Sequence, residues 1–325
     1  MLLIDNTSTN SYFNLAMEEY LLNNFTQDVC MLWQNDNTVV VGKNQNALAE
    51  IDYDYVKAND IKVVRRLTGG GAVFHDMGNL NYTFITNNTE DNFSNFKTFS
   101  TPVIDMLDGL GIHAYLTGRN DLVIDGRKFS GNAQCVHKNR LLHHGTLLFC
   151  SDIKDISASL KVDPEKIADK GIKSVASRVT NISEHLQRKM SVAEFKKLFM
   201  EYMLKREDVT YYNLTPDDIA KVQKLSDEKY STWEWNFGYS PKYAFHKKKR
   251  FSAGSIEVSI DVKDGIMQDV KFYGDFFARR DVSEIEQLLK SQKHNFDVMN
   301  EVLNTVNLND YFLNISKQEL LSVLI

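Results

Sequence analysis

Apolar and polar positions alternate in two rhythms along this chain, and the first stretch already uses both. Over residues 14–22, Leu15, Tyr20, Leu21 and Leu22 give an apolar side and Glu18-Glu19 a wet one, which predicts a helix. Val29–Trp33 and Thr38–Val41 are short apolar, β-branched runs that predict strands around the turn-rich Gln34-Asn35-Asp36-Asn37. Residues 62–66 predict another strand, broken by Gly69-Gly70-Gly71, after which Ala72-Val73-Phe74 and residues 80–85 resume extended structure. Residues 95–110 read as a helix that stops at Gly111.

A second β-rich block covers Asp121–Ile124, residues 128–136 and residues 141–149, with Asp125-Gly126 as a hairpin signal. Helices then dominate residues 153–230, with Pro164 and Pro216 placed near helix starts. Strands followed by helices predict an α+β fold rather than repeated βαβ units. Gly238-Tyr239-Ser240-Pro241 leads into His246-Lys247-Lys248-Lys249-Arg250, read as a linker whose charges face solvent. Residues 251–260 and 266–272 predict strands around Lys263-Asp264-Gly265, followed by helices such as 282–290. The expected domains are therefore 1–240, a linker 241–250, and a small α+β unit 251–325.

Composition narrows the class. A length of 325 residues suits two domains, and 43% hydrophobic with 25% charged residues is ordinary for a globular protein. The formal net charge of −5 disfavours a general nucleic-acid surface while leaving room for a local anion site. No apolar run is long enough to span a bilayer, and the start lacks the basic region of a signal peptide. Three cysteines, Cys30, Cys135 and Cys150, form no C-x-x-C pair. A soluble cytoplasmic protein, with monomer as the simplest state, is expected.

Candidate chemistry lies in three segments. In Arg65-Arg66-Leu67-Thr68-Gly69-Gly70-Gly71-Ala72-Val73-Phe74-His75-Asp76, glycines let a ligand approach backbone N–H groups that can surround an anion. The two arginines add forked donors suited to carboxylate or phosphate. The segment is neither a Walker A motif nor a dinucleotide G-x-G-x-x-G. In Asn120-Asp121 and Asp125-Gly126-Arg127-Lys128-Phe129-Ser130-Gly131, Lys128 follows a tight turn and can reach a cleft as a point charge. Asp121 is a hard oxygen donor of the kind Mg²⁺ takes beside phosphates. Adjacent His143 and His144 on a strand point to opposite faces, so joint chelation of a metal is disfavoured.

These segments, in this order, resemble the lipoate–protein ligase family. The resemblance begins at Asn14-Leu15-Ala16-Met17-Glu18-Glu19, runs through Thr38-Val39-Val40-Val41-Gly42 and the segments above, and continues at Lys170-Gly171-Ile172-Lys173-Ser174-Val175. Ser177-Arg178-Val179-Thr180-Asn181 follows, and Trp233-Glu234-Trp235-Asn236-Phe237-Gly238 closes the large domain in family style. It covers essentially the whole chain, more weakly beyond about residue 250. The resemblance implies a large mixed α/β catalytic domain of the biotin/lipoate ligase type with a small C-terminal domain. It implies that ATP and Mg²⁺ serve to convert lipoate to lipoyl-AMP, and that the acyl group then passes to a lysine. The acceptors it implies are lipoyl domains of 2-oxoacid dehydrogenase acyltransferase subunits and the H protein of glycine cleavage. Arg66, Gly69, Gly70, Gly71, Ala72, Val73 and Phe74 would contact the nucleotide, with Asp121 at the metal. Lys128 would serve as catalytic residue to both phosphate and carbonyl. Trp33, Arg65 and His75 would line the acyl pocket.

Three rivals are weighed against that expectation. An ATP-independent octanoyl or lipoyl transferase shares the fold and sometimes uses a thiolate, for which Cys135 and Cys150 are candidates; neither has an activating sequence neighbour. Leu148-Phe149-Cys150 reads as a buried strand end. A biotin–protein ligase would carry a different glycine–arginine loop. A non-catalytic paralogue that only binds lipoyl domains is disfavoured by the intact Lys128 and glycine segment.

Overall fold

The computed structural model describes residues 1–89, 92–118, 120–160, 178–239, 243–274, 276, 278 and 280–325. The expected Lys170–Val175 segment, Arg119, Ser177, Pro164 and Pro241 lie outside the described residues. The chain divides into two compact units, one of Met1–Lys43 with Ala58–Thr232 and one of Asn44–Lys57 with Trp233–Ile325. The expected α+β class is what is found.

The first unit is built on an eight-stranded sheet. Its strands are β1 (Leu2–Asp5), β2 (Val29–Trp33), β6 (Asn79–Asn87), β7 (Ala114–Thr117), β8 (Asp121–Ile124), β9 (Arg127–His137), β10 (Arg140–Leu148) and β11 (Thr210–Tyr211). The spatial order is β11-β1-β2-β6-β10-β9-β8-β7. From β2 across to β7 every pairing is antiparallel, so each hydrogen-bonded row carries side chains on one face. A smaller sheet of β3 (Thr38–Val41), β4 (Lys62–Arg65) and β5 (Val73–His75) has the order β4-β3-β5.

Period-two alternation sorts the large sheet. Cys30 and Leu32 of β2, Leu80, Tyr82 and Phe84 of β6, and Leu141 and Leu147 of β10 join one core. Phe99, Val103, Met106 and Leu107 cover it from the helix Phe96–Asp108, and Phe195, Phe199 and Met203 from the helix Val192–Leu204. The alternate residues Trp33, Asn81, Thr83, His144 and Thr146 therefore lie on the other face. That face is polar around Asn81, Thr83, His144 and Thr146, and it holds the candidate site.

The first helix, Ser11–Asn24, corrects the sequence reading. Nine of its residues are buried, among them Glu18, at 2% exposure, which was expected on the wet side. Asn10 caps its start by accepting from the Tyr12 N–H. The hairpin at Asp125-Gly126 is as expected, with φ of 49° and 74° at its two corners.

The second unit opens on a three-stranded antiparallel meander, β12 (Tyr243–Phe251), β13 (Gly254–Lys263) and β14 (Ile266–Gly274). This overturns the expected linker at 241–250, because His246–Arg250 belongs to β12. The charges are compatible with an edge strand because they alternate onto partners. His246 and Lys248 both meet Glu257 at 2.9 Å, while Lys249 reaches Asp54 at 3.1 Å. Trp233 also falls in this unit rather than closing the larger one. The helices Ser283–Leu289, Phe296–Asn304 and Lys317–Leu324 follow the meander. Among the described residues no helix is long and apolar enough to cross a membrane.

Candidate active site

Arg66 ends the run that β4 begins, and its side chain shapes the glycine loop. Its Nε donates to Thr68 Oγ1 (2.9 Å), Nη1 to the Val40 carbonyl (3.2 Å), and Nη2 to the carbonyls of Gly69 (2.7 Å) and Gly71 (2.8 Å). The carbonyls are thus turned toward the guanidinium. Burial lowers the Arg66 pKa to about 10, opposed by the nearby Glu18 carboxylate. The loop also presses on β3: a β-carbon on Gly42 would lie 2.0 Å from the Gly70 carbonyl oxygen, and Gly70 has φ of 96°. Arg65 is fully buried and donates to the carbonyls of Gly42 and Lys43, both at 3.0 Å.

Lys128 sits at the start of β9, where the β8–β9 register shifts at Leu122/Val123. Leu122 pairs with Ser130 and Val123 with Lys128, leaving Phe129 as the extra residue, which is buried in the core. The ammonium lies 2.7 Å from Asp121 Oδ1, with about two-fifths of each side chain exposed. Asn120 and Asn132 bind each other's backbone beside it, Asn120 Nδ2 to Asn132 O at 2.6 Å and Asn132 Nδ2 to Asn120 O at 3.0 Å.

A buried relay links the pocket wall to the arginine. Trp33 Nε1 donates to Thr83 Oγ1 (2.8 Å), which donates to Glu18 Oε1 (2.6 Å). The Glu18 carboxylate meets His144 Nδ1 at 2.9 and 3.1 Å, and His144 Nε2 lies 2.8 Å from Thr68 Oγ1. A carboxylate at this depth is held by hydrogen bonds and a basic partner, as burial demands. His143, one residue away, faces the core instead, stacked on Phe99 with ring centroids 4.9 Å apart. The two histidines do point to opposite faces, as expected for a strand.

His75, at the end of β5, is 3% exposed and packs edge-on against Trp33. Asn35 Nδ2 lies 3.1 Å from its Nδ1. Burial first, and the nearby Arg66 guanidinium after it, push its pKa down to about 3.

These groups meet around a cavity of about 170 Å³. Of the residues singled out in the sequence, Trp33, Arg66, Gly70, Gly71, Ala72, Val73, His75 and Lys128 line it. Arg65, Gly69, Phe74 and Asp121 do not; Arg65 and Phe74 are buried behind it, and Asp121 touches it through Lys128. Leu15, Val40, Asn81, His144 and Thr146 also line it and were not proposed. Only their place in alternating strands, or the carboxylate in an apolar helix, could have signalled them. Among the described residues no group of three or more His, Cys, Asp or Glu side chains forms a metal cluster. Mg²⁺ does not need one, since it takes one or two carboxylates with phosphate oxygens and water. Asp121, paired with Lys128, is a carboxylate beside the cavity.

The cysteines supply no activated thiol. Burial pushes the half-buried Cys135 up to about 12, and burial with Asp76 also raises Cys150. Cys150 is exposed just past β10, not at a buried strand end as expected.

Residues 10–204 match the family described as the lipoyl protein ligase A/B catalytic domain, and residues 240–324 the bacterial lipoate protein ligase C-terminus. The chain is 46% identical to lipoate-protein ligase LplJ of Bacillus subtilis, covering all of both chains. It is 42% identical to lipoate–protein ligase 1 of Staphylococcus aureus over 98% of each. Among solved structures, a bipartite lipoate protein ligase from Thermoplasma acidophilum, studied with its E2 lipoyl domain, superposes with a TM-score of 0.65. It is 30% identical and covers 74% of this chain and 98% of its own. A lipoate-protein ligase A bound with ATP gives 0.63 at 29% identity, over 73% and 98%.

Proposed function

We infer the reaction of this chain from the premise that it belongs to the lipoate–protein ligase family: it activates lipoate with ATP and transfers the lipoyl group to protein. The observation that carries the reading is a single cavity shared by an ammonium, a glycine-loop backbone and an apolar wall. Lys128, Gly70–Val73, and Leu15, Trp33 and Val40 supply these three parts.

In the first step a lipoate carboxylate oxygen attacks the α-phosphorus of ATP, and the bond from that phosphorus to the bridging oxygen breaks to release pyrophosphate. Two anions must approach, so the site must offset their repulsion. Lys128 supplies a mobile positive charge, and the N–H groups of the glycine loop supply fixed dipoles. Arg66, which lines the same cavity, also draws the Gly69 and Gly71 carbonyls toward its guanidinium and so away from the phosphate. Mg²⁺, held by Asp121 and the phosphates, would add Lewis-acid stabilisation. In the second step an acceptor lysine amine attacks the acyl carbonyl, the C–O bond to AMP breaks, and Lys128 steadies the developing oxyanion. Trp33 gives the aliphatic chain an apolar wall.

The proposed acceptors are lipoyl domains of 2-oxoacid dehydrogenase acyltransferase subunits and the glycine cleavage H protein. The test is ATP-dependent formation of lipoyl-AMP followed by transfer to a panel of such apo proteins. Adenylate formation with transfer supports the reading and identifies the acceptor. Transfer from an acylated carrier without ATP would replace it with the thiol transferase.

A further inference from the structure

Donors dominate the walls of the cavity: the Lys128 ammonium, the Arg66 guanidinium and the N–H groups of the glycine loop. Asn120 is set among them as an acceptor. Its Nδ2 donates to the Asn132 carbonyl at 2.6 Å, and a carbonyl can only accept, which settles which end of the amide is which. Its backbone carbonyl is held as well, by the Asn132 backbone N–H and by Asn132 Nδ2, both at 3.0 Å. Asn132 is fixed in turn: it is 3% exposed, its Oδ1 accepts from the Tyr82 hydroxyl, and a β-carbon on Gly145 would lie 2.2 Å from that oxygen. Asn120 Oδ1 is what this clamp leaves over. It has no partner among the described residues, and it is not sealed from solvent, since Asn120 is half-buried at the cavity wall.

We propose that Asn120 Oδ1 accepts an N–H of the acceptor's lysine amine and aims the amine's lone pair at the acyl carbonyl, which makes Asn120 a further catalytic residue, for the transfer step. The proposal rests on the ligase reading above. A carbonyl-type oxygen offers nothing to the first step, in which both reactants are anions that call for donors. In the second step the incoming amine is what brings N–H groups to the reacting carbonyl. The ribose hydroxyls of the adenylate lie beyond the phosphate and the 5′-carbon. Position agrees with this. Asn120 precedes Asp121, which meets Lys128 at 2.7 Å, and Asn132 follows Gly131, over which the Lys128 side chain folds. The ammonium that steadies the carbonyl oxygen and the amide oxygen that holds the amine are thus carried side by side on β8 and β9. The lysine arrives as the free amine, its ammonium proton already given to water. Its lone pair forms the C–N bond, the C–O bond to AMP breaks with the electron pair leaving on the phosphate, and one N–H proton passes to water. Asn120 is not basic and takes no proton. Its part is orientation, and the clamp on Asn132 holds the oxygen in place before the amine arrives.

Two half-reactions of the full chain are measured apart: formation of lipoyl-AMP from lipoate and ATP without acceptor, and single-turnover transfer from added lipoyl-AMP to an apo lipoyl domain. In Asn120→Ala the loss in transfer is expected to exceed the loss in adenylation by about tenfold, the upper end for one neutral hydrogen bond. Asn120→Asp keeps an acceptor oxygen but sets a negative charge beside two anions, so it should reverse the order. Adenylation should fall further than in Asn120→Ala, while transfer stays above that variant's. Undiminished transfer in Asn120→Ala overturns the proposal. Equal losses in both steps for both variants overturn it too, since Asn120 would then only support the Lys128 side of the cavity. So does a loss confined to a raised KM for ATP, which would give Oδ1 to the nucleotide. An unaltered protein that makes no lipoyl-AMP would defeat the ligase reading instead, and transfer from added lipoyl-AMP would still decide what Asn120 does.

Discussion

The Lys128 side chain folds back across Gly131: a β-carbon on residue 131 would lie 3.0 Å from Nζ and 3.2 Å from Cε. The ammonium that meets Asp121 does so because position 131 has no side chain. Gly131→Ala should therefore move the ammonium without upsetting the fold, since the obstructing atoms are the end of a flexible chain. The expected outcome is a loss of adenylation of about tenfold or more, equivalent to about 1.4 kcal/mol in the barrier, with a melting temperature within a few degrees of the parent. An undiminished rate would mean that the ammonium's place over Gly131 does not matter.

Lys128→Ala removes the charge altogether. Loss of one electrostatic donor typically costs about 3–4 kcal/mol, or roughly a hundred- to a thousandfold in rate. Lys128 is about two-fifths exposed, so the variant should fold normally. Single-turnover formation of lipoyl-AMP is the measurement. A turnover close to the parent's would remove Lys128 from the reaction.

Arg66→Lys separates shape from charge. Arg66 binds Thr68 and three backbone carbonyls from a planar fork, and a lysine ammonium cannot reach all of them. Carbonyls left buried and unpaired cost about 1–3 kcal/mol each, so a stability loss of roughly 2–4 kcal/mol is expected. It should appear as a lower urea midpoint at constant slope. Nucleotide affinity should fall as the loop relaxes. A variant that loses nucleotide binding at full stability would mean that Arg66 touches the phosphate rather than the loop.

Much of this was legible in the residues, and the failures share a cause. Short strands such as Val29–Trp33 and Thr38–Val41, and the turn at Asp125-Gly126, announce themselves through local composition. Trp33, the glycine loop and Lys128 were brought together as expected. Glu18 was not, because a carboxylate beside Glu19 reads as a wet helix face until His144, Thr83 and the Trp33 indole are seen converging there. The charge run 246–250 failed for a related reason. Lysines in a strand are legible only once Glu257 and Asp54 are seen beside them. The pairing of Asp121 with Lys128 was not foreseen either. Pairings across long sequence separation decide each of these.

The buried histidines give the protein a pH dependence with a definite sign. Burial takes His75 and His143 from an ordinary 6.5 down to about 3 in the folded chain. Between these values the unfolded chain binds more protons than the folded one, so stability rises with pH across that window. Their contribution is complete above about pH 6.5 and is lost progressively as pH falls toward 3. Each histidine adds up to about 1.4 kcal/mol per pH unit to the slope. Urea midpoints at pH 7, 6 and 5 should fall in that order, before most carboxylates begin to titrate. His143 is the one to change, because it packs on Phe99 and does not line the cavity. His143→Gln is expected to reduce the slope by about one proton, even if its stability at pH 7 is lower. An identical slope in the parent and His143→Gln would mean that His143 is already protonated in the folded chain, and that Gln134, 3.1 Å from its Nδ1, accepts from it.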